Sequence, residues 1–298
     1  MAGFIGGAIA RYARQAGHEV TGGLRRPADL ADGITPCITG DLATPGYHLP
    51  PVDVVIHAAG LGHRRGVAQD VWQRENVQAT QILAAAARQA GARRFILIST
   101  AYVHGRAPVG LVEDTTKPTP MDDYTRSKLD GEAAMHAAFG PHAVALRPVA
   151  VIGPGCPGNI PLLIRGLKRG LLLPFAALRN QRSFIPVADL ANLALTLAHA
   201  PNVPPTVLAA HPEAISTPNL IRALAAGLGV QPRLFAVPSA LLGFGAKLLG
   251  HEGTWQSVYG DFRAQPKAAL ALGWKPAQSL AESLRDTSRY YFTTNKTP

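Results

Sequence analysis

Apolar positions along the chain fall into two alternating kinds of run. Ala8 to Ala16 carries apolar residues at helical spacing and stops at Gly17, after which His18 to Leu24 reads as a strand. Val52 to Ala59 is a nearly unbroken apolar run behind Pro50 and Pro51, as expected of a buried strand. Further on, Gln78 to Gln89 predicts an Ala-rich helix closed by Gly91, Arg94 to Ser99 a buried strand, Ser127 to Ala138 a helix and Ala143 to Val151 another strand. Buried strands alternating with helices predict an α/β architecture, a parallel sheet with helices on both faces.

From Gly153 to Arg182 the rhythm is broken by Pro154, Pro157, Pro161 and Pro174. A further unit follows, strand Ser183 to Val187 and helix Asp189 to His199, with Asp189 as the expected N-cap. Thr206 to Ala210 predicts a strand, Pro218 to Ala226 a helix and Ala277 to Tyr291 a closing helix.

Composition narrows the classes. A chain of 298 residues, 47% hydrophobic and 16% charged, with 30 Gly and 25 Pro in no fixed period, excludes disordered and collagen-like readings. The net charge of +10 comes from scattered residues such as Arg11, Arg88, Arg165, Arg222 and Arg285, with no dense basic block interleaved with aromatics. Phosphorylated small ligands account for that basicity, and no nucleic-acid partner is expected. Cys37 and Cys156 are too few for a disulfide framework and lack CxxC spacing, which suits a reducing compartment. The strongest apolar stretch, Leu234 to Leu249, contains Pro238 and Lys247 and falls short of a spanning helix. With no leader pattern at the start, a cytoplasmic protein without a transmembrane segment is expected.

The segment Gly3-Phe4-Ile5-Gly6-Gly7, opening into a helix, has the makings of a turn whose backbone amides approach a pyrophosphate. Here the chain resembles the extended short-chain dehydrogenase/reductase family, also called the epimerase/dehydratase family. Gly3 and Gly6 match the second and third glycines of its Gly-x-x-Gly-x-x-Gly pattern; the first would fall one residue before Met1. The family's first strand, central in its sheet, is missing from this chain, which implies either a start assigned too late or unpaired edges on both neighbouring strands. The resemblance implies a Rossmann-type dinucleotide domain mainly over 1–155 and a smaller substrate-binding lobe mainly over 156–298, with 183–200 returning to the first.

Arg25 and Arg26 stand where a 2′-phosphate would be met, so NADP is favoured over NAD. Asp41, followed by Leu42, resembles the family's adenine-contacting acid, and Ala58-Ala59-Gly60 its main-chain wall along the cofactor, where small side chains permit close approach. Tyr124-Thr-Arg-Ser-Lys128 puts a phenol and an ammonium on one side of a helix, where the ammonium would favour the phenolate and hold the nicotinamide ribose. Ser99-Thr100-Ala-Tyr-Val-His104-Gly105 resembles the family's Ser-Ser/Thr-x-x-Val-Tyr-Gly, which implies that Thr100 is the catalytic hydroxyl; His104 replaces the usual Tyr near the sugar pocket. Asn76 matches the asparagine that steadies the active-site helix, and Leu146-Arg147-Pro148 the strand that leads to the nicotinamide end.

Arg182, in Arg182-Ser-Phe-Ile-Pro-Val-Ala-Asp189, resembles the family arginine that meets the substrate pyrophosphate, for which a guanidinium fork is suited. Asn159, Asn180 and Arg263 are further candidate contacts to a UDP-sugar, and Leu272-Gly-Trp274-Lys-Pro276 resembles the family's closing Leu-Gly-Trp-x-Pro. The resemblance implies hydride transfer at sugar C4: NAD(P)H-dependent reduction of a UDP-4-keto-6-deoxy-N-acetylhexosamine is favoured, with a UDP-glucose or UDP-GlcNAc 4-epimerase as the alternative. A dehydratase is disfavoured because Ala101 and Tyr102, not Asp-Glu, follow Thr100. The reading from another class is a catalytically silent dinucleotide-binding subunit. Relatives of this kind pair as homodimers through helices, here those from Gln78 and Ser127.

Overall fold

The computed structural model describes residues 3–28, 30, 33–62, 66–238, 241–242 and 260–293. In chain order these form α1 (Phe4–Gln15), β1 (Val20–Leu24), β2 (Ile34–Ile38), β3 (Val54–His57), α2 (Gln69–Trp72), a π-helical turn (Gln73–Gln78), α3 (Ala79–Gln89) and β4 (Arg94–Ile98). A 3-10 turn (Ala101–His104), β5 (Leu111–Glu113), α4 (Asp123–Phe139), β6 (Ala143–Pro148), β7 (Ala150–Ile152), α5 (Asn159–Lys168), β8 (Leu172–Leu173) and β9 (Arg182–Pro186) follow. The remainder is α6 (Val187–His199), β10 (Thr206–Ala209), β11 (Ala214–Ile215), α7 (Thr217–Leu228), β12 (Arg233–Leu234), β13 (Arg263–Gln265), a short helix Lys267–Ala271 and a closing helix Leu280–Thr293.

The central sheet runs β10-β6-β4-β3, every pairing parallel. Side chains alternate across it as the pleat requires. Phe95 and Leu97 of β4, with Ala143 and Ala145 of β6, pack under α3 and α4 against Leu83, Ala84, Met135 and Phe139. Their neighbours Ile96, Ile98, Val144 and Leu146 point to the other face and pack on Leu190, Leu193 and Leu197 of α6 and Ile9 of α1. The expected architecture of a parallel sheet covered on both faces is therefore present, and near-continuous hydrophobicity of the strands follows from burial on both sides.

The parallel pair β1-β2 is not hydrogen-bonded to the four-stranded sheet. Val54, Val55 and Ile56 of β3 are only half-buried where all five residues of β4 are buried, as befits an edge strand. A second hydrophobic cluster joins Ile152, Ile164 and Phe184 to α5, α7 and the closing helix through Leu220, Leu224, Leu280 and Leu284. There β9 pairs parallel with β7 and antiparallel with β11. Most of the Leu234 to Leu249 stretch lies outside the described residues; among those described, no helix is long and apolar enough to cross a membrane.

Local boundaries differ from the sequence expectations for identifiable reasons. Helix α1 begins at Phe4, because Gly3 takes the extended N-cap position (φ −79°, ψ 153°) and Gly6 and Gly7 lie in the first turn. The expected strand Ala143 to Val151 is two strands in different sheets: Pro148 has no N–H to offer a ladder, the Val149 amide makes the last bond to β10 at the Ala209 carbonyl (3.0 Å), and from Ala150 the chain pairs with β9 instead. Asp189 does not cap α6; Pro186 is the N-cap residue. Asp189 lies buried in the first turn, where its carboxylate accepts from the Ala277 amide (3.0 Å) and its carbonyl from Trp274 Nε1 (3.3 Å). The Leu-Gly-Trp-x-Pro segment is thereby fixed to α6.

Gly227 permits the closest approach of two helices. A Cβ there would lie 2.2 Å from both the Arg285 carbonyl oxygen and Ser288 Oγ of the closing helix. Alanine would favour the helix itself by about 1 kcal/mol, yet the collision is with backbone and opposes that gain. Gly227→Ala is expected to destabilise the protein by about 1–3 kcal/mol in urea denaturation, and a stabilised variant would refute the packing.

Candidate active site

The carboxyl end of β4 leads through Ser99 to Thr100, whose extended backbone (φ −155°, ψ 142°) precedes the 3-10 turn. Thr100 Oγ1 accepts from the Tyr102 amide at 3.2 Å, so the strand-end hydroxyl also caps that turn. Opposite it, α4 begins at Asp123, earlier than the expected Ser127, because Asp122 and Thr125 form a reciprocal capping box. The cap is held further by Arg106, whose Nη2 lies 2.6 Å from Asp122 Oδ2.

This early start places Tyr124 in the first turn of α4, with its phenol hydrogen-bonded to the Thr100 side chain and its ring 5.7 Å from that of Trp72. Burial pushes the phenol up to about 12, against the downward pull of the Thr100 hydrogen bond. One turn later the buried Lys128 ammonium donates to the Ile98 carbonyl at 2.8 Å. Burial brings it down to about 8, partly opposed by the Glu132 carboxylate. The expectation that the ammonium favours the phenolate is corrected here: the ammonium is directed at the end of β4, and desolvation keeps the phenol protonated at neutral pH.

A second turn along the same face, Glu132 anchors a buried network. Arg147 of β6 meets its carboxylate with Nη2 at 2.6 Å and Nε at 3.0 Å, and Ser99 Oγ donates to Glu132 Oε1. Arg147 Nη1 lies 3.3 Å from His104 Nε2. A guanidinium only donates, so Nε2 is the acceptor and Nδ1 carries the proton toward the Lys117 carbonyl, 3.4 Å away. Burial, reinforced by the Arg147 charge, lowers the His104 pKa. Expected beside the sugar, His104 is instead 2% exposed, because its ring is turned inward to Arg147. Glu132 escaped the sequence reading; the available signal was an acid four residues beyond Lys128 and eight beyond Tyr124, on one helical face.

Asn76 sits in the π-helical turn and joins three elements. Its Oδ1 accepts from the Leu61 amide (2.8 Å), and Nδ2 donates to the Leu61 carbonyl (3.2 Å) and to Ser127 Oγ (2.9 Å), which in turn donates to the Tyr124 carbonyl (2.8 Å). Gly60, at φ +136°, would bring a Cβ to 2.8 Å from Asn76 Oδ1, and Gly131 of α4 one to 2.6 Å from the Asn76 carbonyl oxygen. Both glycines are needed for α4 and the loop after β3 to close on this turn.

At the other end of the cleft, Gly6 would place a Cβ 3.5 Å from that of Ala58, so the start of α1 lies against Ala58-Ala59-Gly60. The first turn of α1 has no acidic residue, and its unpaired amides suit a pyrophosphate. Asp41 Oδ2 faces Arg74 Nη2 at 2.5 Å and Arg25 Nη2 at 3.3 Å, and Glu75 adds contacts to Arg74 at 2.6 Å and Arg25 at 3.7 Å. The Arg74 guanidinium is the main reason that Asp41 is held down to about 2. Arg74 is a residue that the sequence reading missed, and Arg26 is exposed beside this cluster. Leu42 is anchored among the apolar residues under α3.

The candidate sugar-nucleotide contacts are dispersed. Arg182 is buried and donates through Nη1 to the Gly260 carbonyl at 2.7 Å. Asn180 Oδ1 accepts from the Thr217 amide at the start of α7 (3.3 Å). Asn159 is exposed at the start of α5, and Arg263 is exposed on β13. The segment around Gly260 reaches the catalytic turn through Phe262, whose ring lies 5.3 Å from that of Tyr102.

Residues 1–209 match the model of the NAD dependent epimerase/dehydratase family. The chain belongs to that family of enzymes. It is 28% identical to a UDP-glucose 4-epimerase of Vibrio cholerae over 98% of this chain and 94% of the relative. It is also 28% identical to a dTDP-6-deoxy-L-talose 4-dehydrogenase (NAD(P)(+)) of Kitasatospora kifunensis, over 95% and 91%. The structure of MoeE5 in complex with UDP-glucose and NAD is similar, with TM-score 0.74 and 26% identity over 99% of this chain and 97% of that one.

Within this epimerase/dehydratase framework, burial of Lys128 makes a separable prediction. Its pKa is 10.5 in an unfolded chain and about 8 here. The folded state thus sheds the proton first, and the associated stability is complete above pH 10.5 and lost as pH falls through 8. Relative to Lys128→Met, the parent's unfolding free energy should rise between pH 8 and 10.5 by an amount on the order of 3 kcal/mol. Parallel curves for the two proteins would show that the ammonium is not desolvated.

Proposed function

We propose that this protein transfers hydride at C4 of a nucleotide-linked sugar, and specifically that it reduces a UDP-4-keto-6-deoxy-N-acetylhexosamine with NAD(P)H. The observation that carries this reading is the hydrogen-bonded Thr100 and Tyr124 pair at the carboxyl end of β4, with the phenol proton retained up to about pH 12. Both full-length relatives are named for chemistry at position 4 of a sugar nucleotide. A protonated phenol is suited to the reductive direction.

A reduced nicotinamide, when bound, supplies the hydride. The amides at the start of α1, between Gly3 and Gly6, would hold its pyrophosphate; Asp41, Arg25 and Arg26 would meet the adenosine end, and Asn76 and Lys128 the nicotinamide end. Thr100 and Tyr124 orient the C4 carbonyl oxygen. As C4 becomes tetrahedral, the carbonyl π electrons move onto that oxygen and the Tyr124 O–H bond breaks to protonate it. The phenolate left behind keeps its hydrogen bond from Thr100, the contact that favours its charged form. Arg182, Asn180, Asn159 and Arg263 are proposed for the UDP moiety.

A second reading, a UDP-sugar 4-epimerase, is favoured by the Vibrio relative, whose similarity runs along nearly the whole chain. Incubation of the protein with UDP-glucose, UDP-GlcNAc and a UDP-4-keto-6-deoxyhexosamine, with and without NADPH, separates the two. Oxidation of NADPH only with the keto sugar is expected; interconversion of C4 isomers without reductant would establish the epimerase instead. Turnover of neither sugar nor cofactor would sink both and favour a silent subunit. In the reductase assay Tyr124→Phe should lower kcat by about 10²–10⁴-fold.

Cofactor preference rests on Arg26, since Arg25 already faces Asp41 and Glu75. Arg26→Ala should raise the KM for NADPH by about tenfold while leaving that for NADH unchanged. Equal effects on the two would assign the arginine no part in a 2′-phosphate contact.

A further inference from the structure

At the pole of the sheet opposite Tyr124, a cleft of about 670 Å³ opens where β4 and β6 begin and α3, α4 and α6 end. It lies roughly 13 Å from Ile98, given about 3.3 Å per residue along β4, so it is separate from the catalytic end. Three arginines (Arg88, Arg93, Arg94) and two histidines (His142, His199) line it, with no acidic residue in its wall. A volume of this order suits a small molecule rather than a water cluster. An adjoining cavity of about 400 Å³ shares the Arg94 and His142 wall.

Part of this charge has a structural explanation. Arg88 and His199 occupy the last turns of α3 and α6, where a cation complements the helix carbonyls. Arg93 lies 3.9 Å from the exposed carboxylate of Asp53. Arg94 has neither compensation: it is the first residue of a strand, only 7% exposed. Among the described residues it meets no carboxylate. Its Nη2 makes a long bond of 3.4 Å to the Pro201 carbonyl, and its Nε is buried without a partner. Burial, together with the Arg93 charge, lowers its pKa, which is the direction expected of a guanidinium lacking a counterion.

We propose that this cleft binds a small phosphate-bearing anion at a site distinct from the Tyr124 site. The guanidinium of Arg94 forms the charged floor, and Arg88 and Arg93 at the rim present forks that match phosphate oxygens. Phe139 and Pro141 give an apolar wall against which the carbon portion of a phosphate ester would lie. The bound anion supplies the countercharge that Arg94 lacks. This inference does not depend on which reaction the Tyr124 site performs.

Inorganic phosphate is the probe, titrated calorimetrically into the full chain at about 0.15 M salt, where surface attraction is screened. UDP and NADPH are present in excess, so that the phosphate-binding capacity of the other site, its 2′-phosphate position included, is occupied. Saturable binding is expected, weakened about tenfold in Arg94→Gln and by several-fold in Arg88→Ala and Arg93→Ala, whose exposed side chains can be removed without emptying the core. Absence of saturable binding in the millimolar range, or undiminished binding by Arg88→Ala and Arg93→Ala, would overturn the proposal even if Arg94→Gln fails to fold.

Discussion

Lys128 and Glu132 lie one helical turn apart on the buried face of α4, and the need to satisfy both charges away from water organises the site around them. Removing either from solvent carries a desolvation cost of several kcal/mol, so each must find a specific partner. Lys128 finds the carbonyl that ends β4, and Glu132 finds Arg147 on β6 and Ser99 just past β4. Two neighbouring strands are thereby tied to one face of one helix. Thr100 follows Ser99 directly, and Tyr124 precedes Lys128 by one turn, so the Thr100 and Tyr124 hydroxyls inherit their separation from a pair of buried charges. Glycine at position 131, between them, completes the arrangement by allowing the Asn76 carbonyl to approach α4.

The same accounting reads differently at the adenosine end, where the charges are exposed. Arg25, Asp41, Arg74 and Glu75 form an alternating cluster with side chains roughly a quarter to three-fifths accessible, so their mutual attraction is screened and adds little to stability. Its effect is orientation. Asp41 is held ionised by Arg74, which joins the π-helical turn to the loop after β2 and thereby connects the adenosine end with the element that carries Asn76. Arg74 and Asn76, two residues apart, thus tie the loop after β2 and the start of α4 to one short segment.

Much of this was readable from residue order. The alternation of Phe95, Ile96, Leu97 and Ile98 needs only the period of a strand, and the spacing of Tyr124 and Lys128 only that of a helix. What escaped depends on contacts remote in sequence. The π-helical turn is invisible locally, because Gln73–Gln78 has an ordinary helical composition; glycines 60 and 131 admit it from outside. The family resemblance puts His104 near the sugar pocket, yet its environment is set by Arg147, 43 residues away. Asp189 fitted a capping pattern, but the Ala277 amide, 88 residues later, claims its carboxylate. The placement of Glu132 required knowing that β6 would bring Arg147 beneath α4.

Long-range closure also reaches the Thr100 hydroxyl. Asp114 accepts from the Leu208 amide of β10 through one oxygen (2.7 Å) and from the Ala268 amide through the other (3.0 Å), which fixes the segment after residue 260 to the central sheet. From that segment Phe262, 1% exposed, packs its ring on Tyr102, while Arg182 bonds the Gly260 carbonyl two residues earlier. Tyr102 is also the residue whose amide donates to Thr100 Oγ1. The hydroxyl at the end of β4 and the 260s segment thus share a contact residue, Tyr102. Phe262 is in turn held by the backbone on either side of Arg182, its amide bonding the Gln181 carbonyl (2.9 Å) and its carbonyl accepting from the Ser183 amide (2.7 Å), so Tyr102 is where strand β9, the 260s segment and the end of β4 meet.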